Sequence, residues 1–178
     1  MSSENSLRED SAYNEHYHFP CKRKKYTKTV GELLINILRE VFSEIGFEVS
    51  INPPEENSVD LKVFRENQLV LVAEVLNWSI GSRLTKNRER QITDNLNQFN
   101  CARVLIHTVP LSPLNKFSEN GISLIAIGYQ ILPRHYYTFF KHKEQVERRN
   151  PYSKQVVMDI KRLIINSLRN TGIACNIH

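Results

Sequence analysis

The hydrophobic and polar positions of this chain follow two different periods, and the changes between them separate predicted helices from predicted strands. Between residues 30 and 45 the apolar side chains recur every three to four positions, and Gly46 is a typical helix stop. Residues 47–51 read as a short strand. Residues 59–77 contain two apolar runs separated by polar residues, which is the pattern of a β-hairpin. The chain is therefore expected to begin with one helix and three strands.

The second half of the chain alternates helices with short buried strands. A polar helix with a thin apolar stripe is predicted at 83–99. The nearly continuous apolar runs at 102–108 and 122–127 are typical of strands that are covered on both faces, as in a parallel sheet. A short helix is expected within 112–120, and an amphipathic helix at 152–170 ends the pattern. We expect an α/β protein with a central mixed sheet flanked by helices.

Two acidic residues are brought together if the hairpin has the simplest register. With a polar turn at residues 66–68 closed by Arg65 and Leu69, Asp60 falls directly opposite Glu74. Their Cβ atoms would then be about 5 Å apart on one face. Two half-buried carboxylates repel each other, so the pair requires a bound cation or a proton. Oxygen ligands of this kind suit Mg²⁺ or Mn²⁺.

Two alternatives to a metal site remain open at this hairpin. Asp60 and Glu74 would be an ordinary charge pair if their face of the sheet is solvated. A slip of the register by one residue would place the two acids on opposite faces and remove the site.

Composition limits the class of protein. At 178 residues, with 40% hydrophobic and 24% charged residues, the chain suits one globular domain with tails. No apolar run approaches 18 residues, so no membrane span is expected, and the polar N-terminus lacks the apolar core of a signal peptide. The odd number of cysteines, three in all, predicts free thiols and a cytoplasmic location.

Charge is distributed unevenly along the chain. Residues 1–28 carry a balance of +2, residues 29–132 a balance of −3, and residues 133–178 a balance of +6. Residues 1–27 are expected to be a flexible basic arm and 28–178 a single domain, with an aromatic and basic segment from 129 onward. An acidic centre between basic regions is a plausible layout for binding a polyanion such as DNA.

The polar helix after the hairpin adds basic side chains near the acidic pair. If the helix begins at Arg83, then Arg83, Lys86 and Arg90 stand at i, i+3 and i+7 and line one face. A solvated helix face is the common alternative. The aromatic residues at 136–140 suit base stacking or a subunit interface, although packing against the domain's own core is the more frequent role.

The order of elements and the two acids together resemble the PD-(D/E)xK nuclease superfamily. The likeness covers residues 30–127 and is nearest to the branch that contains archaeal Holliday-junction resolvases and related small archaeal or viral proteins. It implies a restriction-endonuclease-like core with the order αβββαβαβ. By this resemblance Asp60 and Glu74 bind a divalent cation, Mg²⁺ or Mn²⁺. An acid on the first helix, Glu32 or Glu40 with Glu32 preferred, assists them, and Gln91 matches a polar residue of the following helix.

The chain departs from the superfamily's pattern at one position. The lysine of the E-x-K motif should follow Glu74 by two residues, but Leu76 stands there. Lys62, on the same predicted face as Asp60, and Lys86, on the next helix, are candidate replacements. Asn77 would orient a water without supplying charge. If nothing replaces the lysine, the fold serves only for binding.

The resemblance implies a Mg²⁺-dependent endonuclease that acts as a homodimer on DNA, with structured or branched DNA as the expected substrate. Asp60 and Glu74 would hold the metal, and Lys86 or Lys62 would assist at the phosphate. Arg83, Lys86, Arg88, Arg90 and Gln91 would contact the DNA. The alternatives are a catalytically inactive nuclease-fold protein that binds DNA or acts as a scaffold, and a protein-interaction module.

Overall fold

The fold was examined in a computed structural model, which describes residues 23–52, 58–78, 82–108, 115–131, 148–149, 154–173 and 175. The described residues form helices on both faces of a mixed sheet, so the predicted α/β class is confirmed. In chain order the elements are α1 Arg23–Glu44, β1 Glu48–Ile51, β2 Leu61–Arg65, β3 Gln68–Leu76, α2 Lys86–Asn97, β4 Ala102–His107, α3 Asn115–Glu119, β5 Ser123–Ala126, β6 Gln130–Ile131, β7 Arg148–Arg149 and α4 Lys154–Asn170.

The strands of the main sheet lie in the order in which they occur along the chain. In the described part, β1 to β5 form a sheet in which β1, β2 and β3 are antiparallel neighbours, while β3, β4 and β5 are parallel. The parallel half agrees with the continuous apolar runs that predicted β4 and β5. The strands β6 and β7 form a separate parallel pair, which the sequence did not predict because two residues are too few to show a period.

One face of the sheet carries the larger hydrophobic core. Helices α1 and α4 pack here, and among the described residues 22 buried side chains form one apolar cluster. Alternate residues of β2 and β3 that point to this face, such as Leu61 and Ala73, are fully buried. Lys161 of α4 also forms a salt bridge with Glu44 of α1, with a nitrogen–oxygen distance of 3.0 Å. We call this surface the α1/α4 face.

The opposite face is covered by α2 and α3, and we call it the α2/α3 face. Its apolar cluster contains eight buried residues in the described part of the chain, among them Val72 and Leu76 of β3 and Ile92 of α2. Because side chains alternate along a strand, Glu74 lies between Val72 and Leu76 on this same face. The second face therefore combines a smaller core with a buried acid.

Helix boundaries differ from the sequence prediction at two places that matter. Helix α1 begins at Arg23, earlier than the predicted residue 30, and residues 1–22 of the expected arm lie outside the described residues. Helix α2 begins at Lys86 because Thr85 is its N-cap: the Thr85 hydroxyl accepts a hydrogen bond from the Arg88 backbone N–H at 3.2 Å. Arg83 precedes that cap, so the predicted i, i+3, i+7 stripe beginning at Arg83 is wrong.

The hairpin turn is tighter than predicted. Glu66 and Asn67 have φ values of 49° and 63°, and Arg65 pairs with Gln68 rather than with Leu69. Two left-handed residues are the signature of a two-residue turn whose twist matches that of the strands. The register then shifts at the step beyond Val63, where a bulge places one extra residue in β3. Beyond the bulge, the pairing returns to the predicted register.

Other expectations fall partly outside the described residues. The aromatic segment 136–140 and Cys21 are not among them, whereas Cys101 and Cys175 are free thiols, as predicted. None of the helices in the described ranges is long and apolar enough to span a membrane.

Candidate functional site

The hairpin register brings Asp60 and Glu74 together. Leu61 pairs with Ala73, so Asp60, one residue before β2, faces Glu74 in the same register. The Asp60 Oδ2 atom accepts a hydrogen bond from the Val75 backbone N–H at 2.8 Å, which fixes the carboxyl beside β3. The Asp60 and Glu74 carboxyls lie close enough for each to shift the pKa of the other. Glu74 is only 2% exposed, whereas Asp60 is half-buried at the boundary with solvent.

Helix α2 supplies the remaining partners of Glu74. The Asn95 Nδ2 atom donates a hydrogen bond to Glu74 Oε1 at 2.8 Å, and Arg88 Nη2 donates to Glu74 Oε2 over a longer 3.5 Å. Arg88 is in turn held by Gln91, whose Oε1 accepts from Arg88 Nη1 at 2.9 Å. Both oxygens of Glu74 therefore have donors on one helix, and the Arg88 side chain remains 35% exposed.

Burial controls the protonation of the acidic pair. Removal from water raises the pKa of Glu74, and the neighbouring Asp60 charge raises it further, to about 7. Burial also raises the pKa of Asp60, against the opposing effect of the hydrogen bond from the Val75 N–H. The charge of Arg88 and the hydrogen bond from Asn95 oppose these effects only in part. Glu74 is therefore protonated in a large fraction of the molecules near neutral pH.

A buried apolar side chain stands at the position of the missing E-x-K lysine. Leu76 is 2% exposed and belongs to the apolar cluster beneath α2, together with Ile92 and Leu96. Within the described residues, the cation that lies against Glu74 is Arg88, which approaches from the helix rather than from the strand.

The two lysines predicted to replace the motif lysine occupy different places. Lys62 lies on the same side of β2 as Asp60, and its ammonium group sits over the Phe99 ring, 5.5 Å from the ring centre. Lys86 is exposed in the first turn of α2. Arg83 and Arg90 are also exposed, before the helix and within its first turns.

The acids predicted on the first helix lie away from the pair. Glu32 and Glu40 are exposed on α1, and α1 packs against the α1/α4 face, whereas Glu74 points to the α2/α3 face. The structure therefore does not bring either acid to Glu74. Asn77 is 6% exposed and exchanges two hydrogen bonds with the Ile131 backbone, at 2.8 and 3.0 Å, which ties β6 to the end of β3.

The residues that sequence reasoning missed are on α2. Asn95 was not singled out, and Arg88 was assigned to DNA rather than to Glu74. A signal for both was present in the sequence, because Arg88, Gln91 and Asn95 stand at i, i+3 and i+7 and form a polar stripe on one side of the helix. Such a stripe on a helix that packs against a sheet indicates a polar partner on the strand beneath it.

The pair has the donor chemistry of a small divalent-cation site. Among the described residues no group of three or more His, Cys, Asp or Glu side chains lies close enough to hold a metal. Two carboxylates are nevertheless sufficient for Mg²⁺, which is commonly bound by one or two carboxylates, waters and substrate phosphate. A cation bound by both carboxyls would take the place of the proton on Glu74. Asp60 and Glu74 fit this role, and solvent reaches them at the Asp60 side.

Comparison with known proteins gives no relative from which to transfer a role. No family model, no curated protein and no solved structure matches this chain. The site must therefore be interpreted from its own geometry and chemistry.

Proposed function

We propose that this protein is a metal-dependent nuclease that hydrolyses phosphodiester bonds of DNA on a restriction-endonuclease-like core. The observation that carries the proposal is the Asp60–Glu74 pair, two carboxyls that face each other across the hairpin, both with a raised pKa, of which Glu74 is only 2% exposed. Strongly perturbed acids at a boundary with solvent are typical of functional sites rather than of surface ion pairs. A Mg²⁺ ion bound there would lower the pKa of a bound water and stabilise charge on the scissile phosphate.

The neighbouring residues have distinct parts in this proposal. The Val75 N–H fixes one Asp60 oxygen, which would leave the other Asp60 oxygen to bind the metal together with Glu74. Asn95 orients Glu74 by donating to Oε1. Arg88, which is partly exposed, can turn its guanidinium from Glu74 to a phosphate oxygen once a metal neutralises the acids. It would then supply from α2 the positive charge that the E-x-K lysine supplies from the strand.

The first turns of α2 support a polyanionic substrate. Lys86, Arg88 and Arg90 lie at the N-terminal end of the helix, and Arg83 just precedes it. That end already carries the positive pole of the helix dipole, where each cation is unfavourable by about 0.3–1 kcal/mol and an anion is favourable. Glu89 in this turn forms a salt bridge with Lys116 of α3 at 3.3 Å. A DNA backbone would relieve the repulsion among the remaining cations and would be attracted to them.

A second candidate function is a DNA-binding or scaffolding protein without catalysis. Two observations favour it: Leu76 is buried where the motif lysine would stand, and Arg88 pairs with Glu74, which offsets part of the acidic charge that would attract a metal. The same cations on α2 would serve such a protein. A preference for structured or branched DNA and a homodimeric assembly belong to the nuclease proposal. The segment 136–140, which the sequence offers for a subunit interface, lies outside the described residues.

A cleavage assay with matched acid variants tests the nuclease proposal. Labelled single-stranded, duplex and four-way-junction DNA would be incubated with Mg²⁺ or Mn²⁺ and with the wild type, Asp60→Asn or Asp94→Asn. Asp94 is an exposed acid on α2 and serves as the control. We expect metal-dependent cutting that falls more than about a hundredfold in Asp60→Asn, because the metal supplies several kcal/mol. A folded wild type that binds DNA and does not cut it would favour the second candidate.

A further inference from the structure

Part of the α2/α3 face is not covered by its apolar core. Among the described residues, the buried cluster of this face draws on β3, β4, the helices and the loop residues Val59 and Ile122, and no residue of β1 or β2 belongs to it. On β2 the side chains that point to this face, Lys62 and Phe64, are half-buried and belong to neither core. Their partners on β1 are Ser50 and Glu48. This half of the face therefore combines polar side chains with the Phe64 ring, which pairs with the apolar Leu69 of β3.

Strand β2 leads directly from the acidic pair. Asp60, Lys62 and Phe64 alternate along one side of the chain, so they lie about 7 Å apart and span about 13 Å. We call these three residues the β2 strip. The end of α2 and the residue that follows it approach the strip: Asn95 donates to Glu74, which faces Asp60, and Phe99, just beyond α2, lies against the Lys62 ammonium group. The strip thus has a basic residue and an aromatic residue next to the carboxyls.

The contact between Lys62 and Phe99 gives the strip a preformed element. The ammonium group lies 5.5 Å from the centre of the Phe99 ring, within the range of a cation–π interaction. This contact restrains a flexible lysine near Asp60 without neutralising its charge. A charged, restrained ammonium group flanked by half-buried aromatic rings is the combination that binds single-stranded nucleic acid, where phosphates contact cations and bases stack on rings.

We propose that an unpaired segment of DNA lies along the β2 strip, with Lys62 contacting a phosphate and Phe64 stacking against a base beside the Asp60–Glu74 pair. The proposal rests on the proposed DNA substrate and narrows it to single-stranded DNA or an unpaired flank of branched DNA. A duplex would not stack on Phe64 in this way, because its bases stack on one another and leave no face open to the ring. The cations at the start of α2 would hold the continuation of the same strand.

Binding measurements on matched variants test this proposal. Fluorescence anisotropy would compare a labelled twelve-nucleotide thymidine strand with a duplex of equal length, with Ca²⁺ in place of Mg²⁺. We expect Phe64→Ala to weaken binding of the single strand by about 5- to 150-fold, the range for loss of one stacked base, and to change duplex binding little. Lys62→Gln should lower the slope of log affinity against log salt by about 0.7, and Lys62→Arg should restore it. Lys154→Gln, on the other side of the sheet, is the control.

Wild-type single-strand affinity in Phe64→Ala, or an equal loss for duplex and single strand, would overturn the proposal. An unchanged salt slope in Lys62→Gln would mean that the lysine serves only its contact with Phe99, and would overturn its phosphate contact. Thermal unfolding of each variant checks that the fold is retained. The nuclease proposal fails separately: a wild type that shows these binding effects and cuts nothing supports the strip but not catalysis. Cutting of DNA without any effect of Phe64→Ala supports catalysis but not the strip.

Discussion

The two faces of the sheet differ in how many apolar residues they bury. The α1/α4 face buries 22 apolar residues in the described part of the chain, whereas the apolar cluster of the α2/α3 face contains eight. The smaller cluster lies beside Glu74 and Asn95, which are buried polar side chains on the same face. Buried polar groups contribute little net stability even when they are hydrogen-bonded. The comparison indicates that the first face stabilises the fold and that the second gives up apolar burial to hold a buried acid.

The largest expected effect on stability comes from a cavity in the first face. Phe42 is fully buried on α1 and packs edge-to-face against Phe47, with ring centres 6.2 Å apart. We expect Phe42→Ala to lower the free energy of unfolding by about 3–5 kcal/mol in urea denaturation. Phe117→Ala, at an equally buried ring on the short helix α3, should cost less because its cluster is smaller. Met158→Ala, at an exposed side chain, should change stability by less than about 0.5 kcal/mol.

An equal or larger loss in Phe117→Ala would contradict this ranking of the two faces. It would mean that the α2/α3 face contributes as much apolar stabilisation as the α1/α4 face. The face that holds Asp60 and Glu74 would then not be the less stabilising face of the sheet.

The next effect is the pH dependence that the buried acid imposes. The pKa of Glu74 is raised from 4.5 to about 7, so between these values the folded protein binds a proton that the unfolded chain has released. Stability should therefore fall as pH rises from about 5 to 8, by on the order of 3 kcal/mol for a shift of this size. Urea denaturation of the metal-free protein at several pH values measures it. Glu74→Gln should flatten the profile, whereas Glu40→Gln, at an exposed acid of α1, should not.

A metal-free protein whose stability rises from pH 5 to 8 would contradict the assignment. That result would mean that Glu74 is stabilised as a carboxylate by Arg88 and Asn95, rather than destabilised by burial next to Asp60.

Much of this architecture could be predicted from the sequence because local patterns determine it. The helical period of α1, the alternation in the hairpin and the continuous apolar runs of β4 and β5 each reflect burial that repeats along the chain. The Asp60–Glu74 pair could be predicted for the same reason. Strand pairing is periodic, so a turn of roughly the right length fixes which residues face each other.

The remaining features depend on contacts that a period does not encode. The two-residue turn at Glu66 and the compensating bulge leave the far register unchanged, so the pattern of the strands does not reveal them. The choice of Arg88 rather than Lys86 as the cation at Glu74 depends on how α2 is rotated against the sheet. That rotation is set by Ile92 and Leu96 entering the core. The predicted basic stripe that begins at Arg83 is wrong because one residue, the N-cap Thr85, places the start of α2 after Arg83.

The smallest of these effects tests the buried hydrogen bond of the α2/α3 face. Asn95→Ala removes the 2.8 Å hydrogen bond to Glu74 and leaves a buried oxygen without that donor. We expect a loss of about 1–3 kcal/mol at pH 8, where Glu74 is charged, and a smaller loss at pH 5, where it is protonated. The Asn95 bond lowers the pKa of Glu74, so its removal should raise that pKa further. Asn36→Ala, at an exposed position of α1, is the matched control for unfolding measurements at both pH values.

A loss in Asn95→Ala that is the same at pH 5 and pH 8 would contradict the link between this side chain and the charge on Glu74. It would assign Asn95 to packing of α2 alone.

The central claim is that Asp60 and Glu74 together bind a divalent cation in place of the proton on Glu74. Calorimetric titration with Mn²⁺ tests this claim most directly. We predict one ion per chain, bound more tightly at pH 8 than at pH 6 because the cation must displace a proton from a group whose pKa is about 7. Binding should be lost in Asp60→Asn and retained in Asp94→Asn. A folded wild type that binds no Mn²⁺ at pH 8, or binds it equally in Asp60→Asn, would contradict the claim.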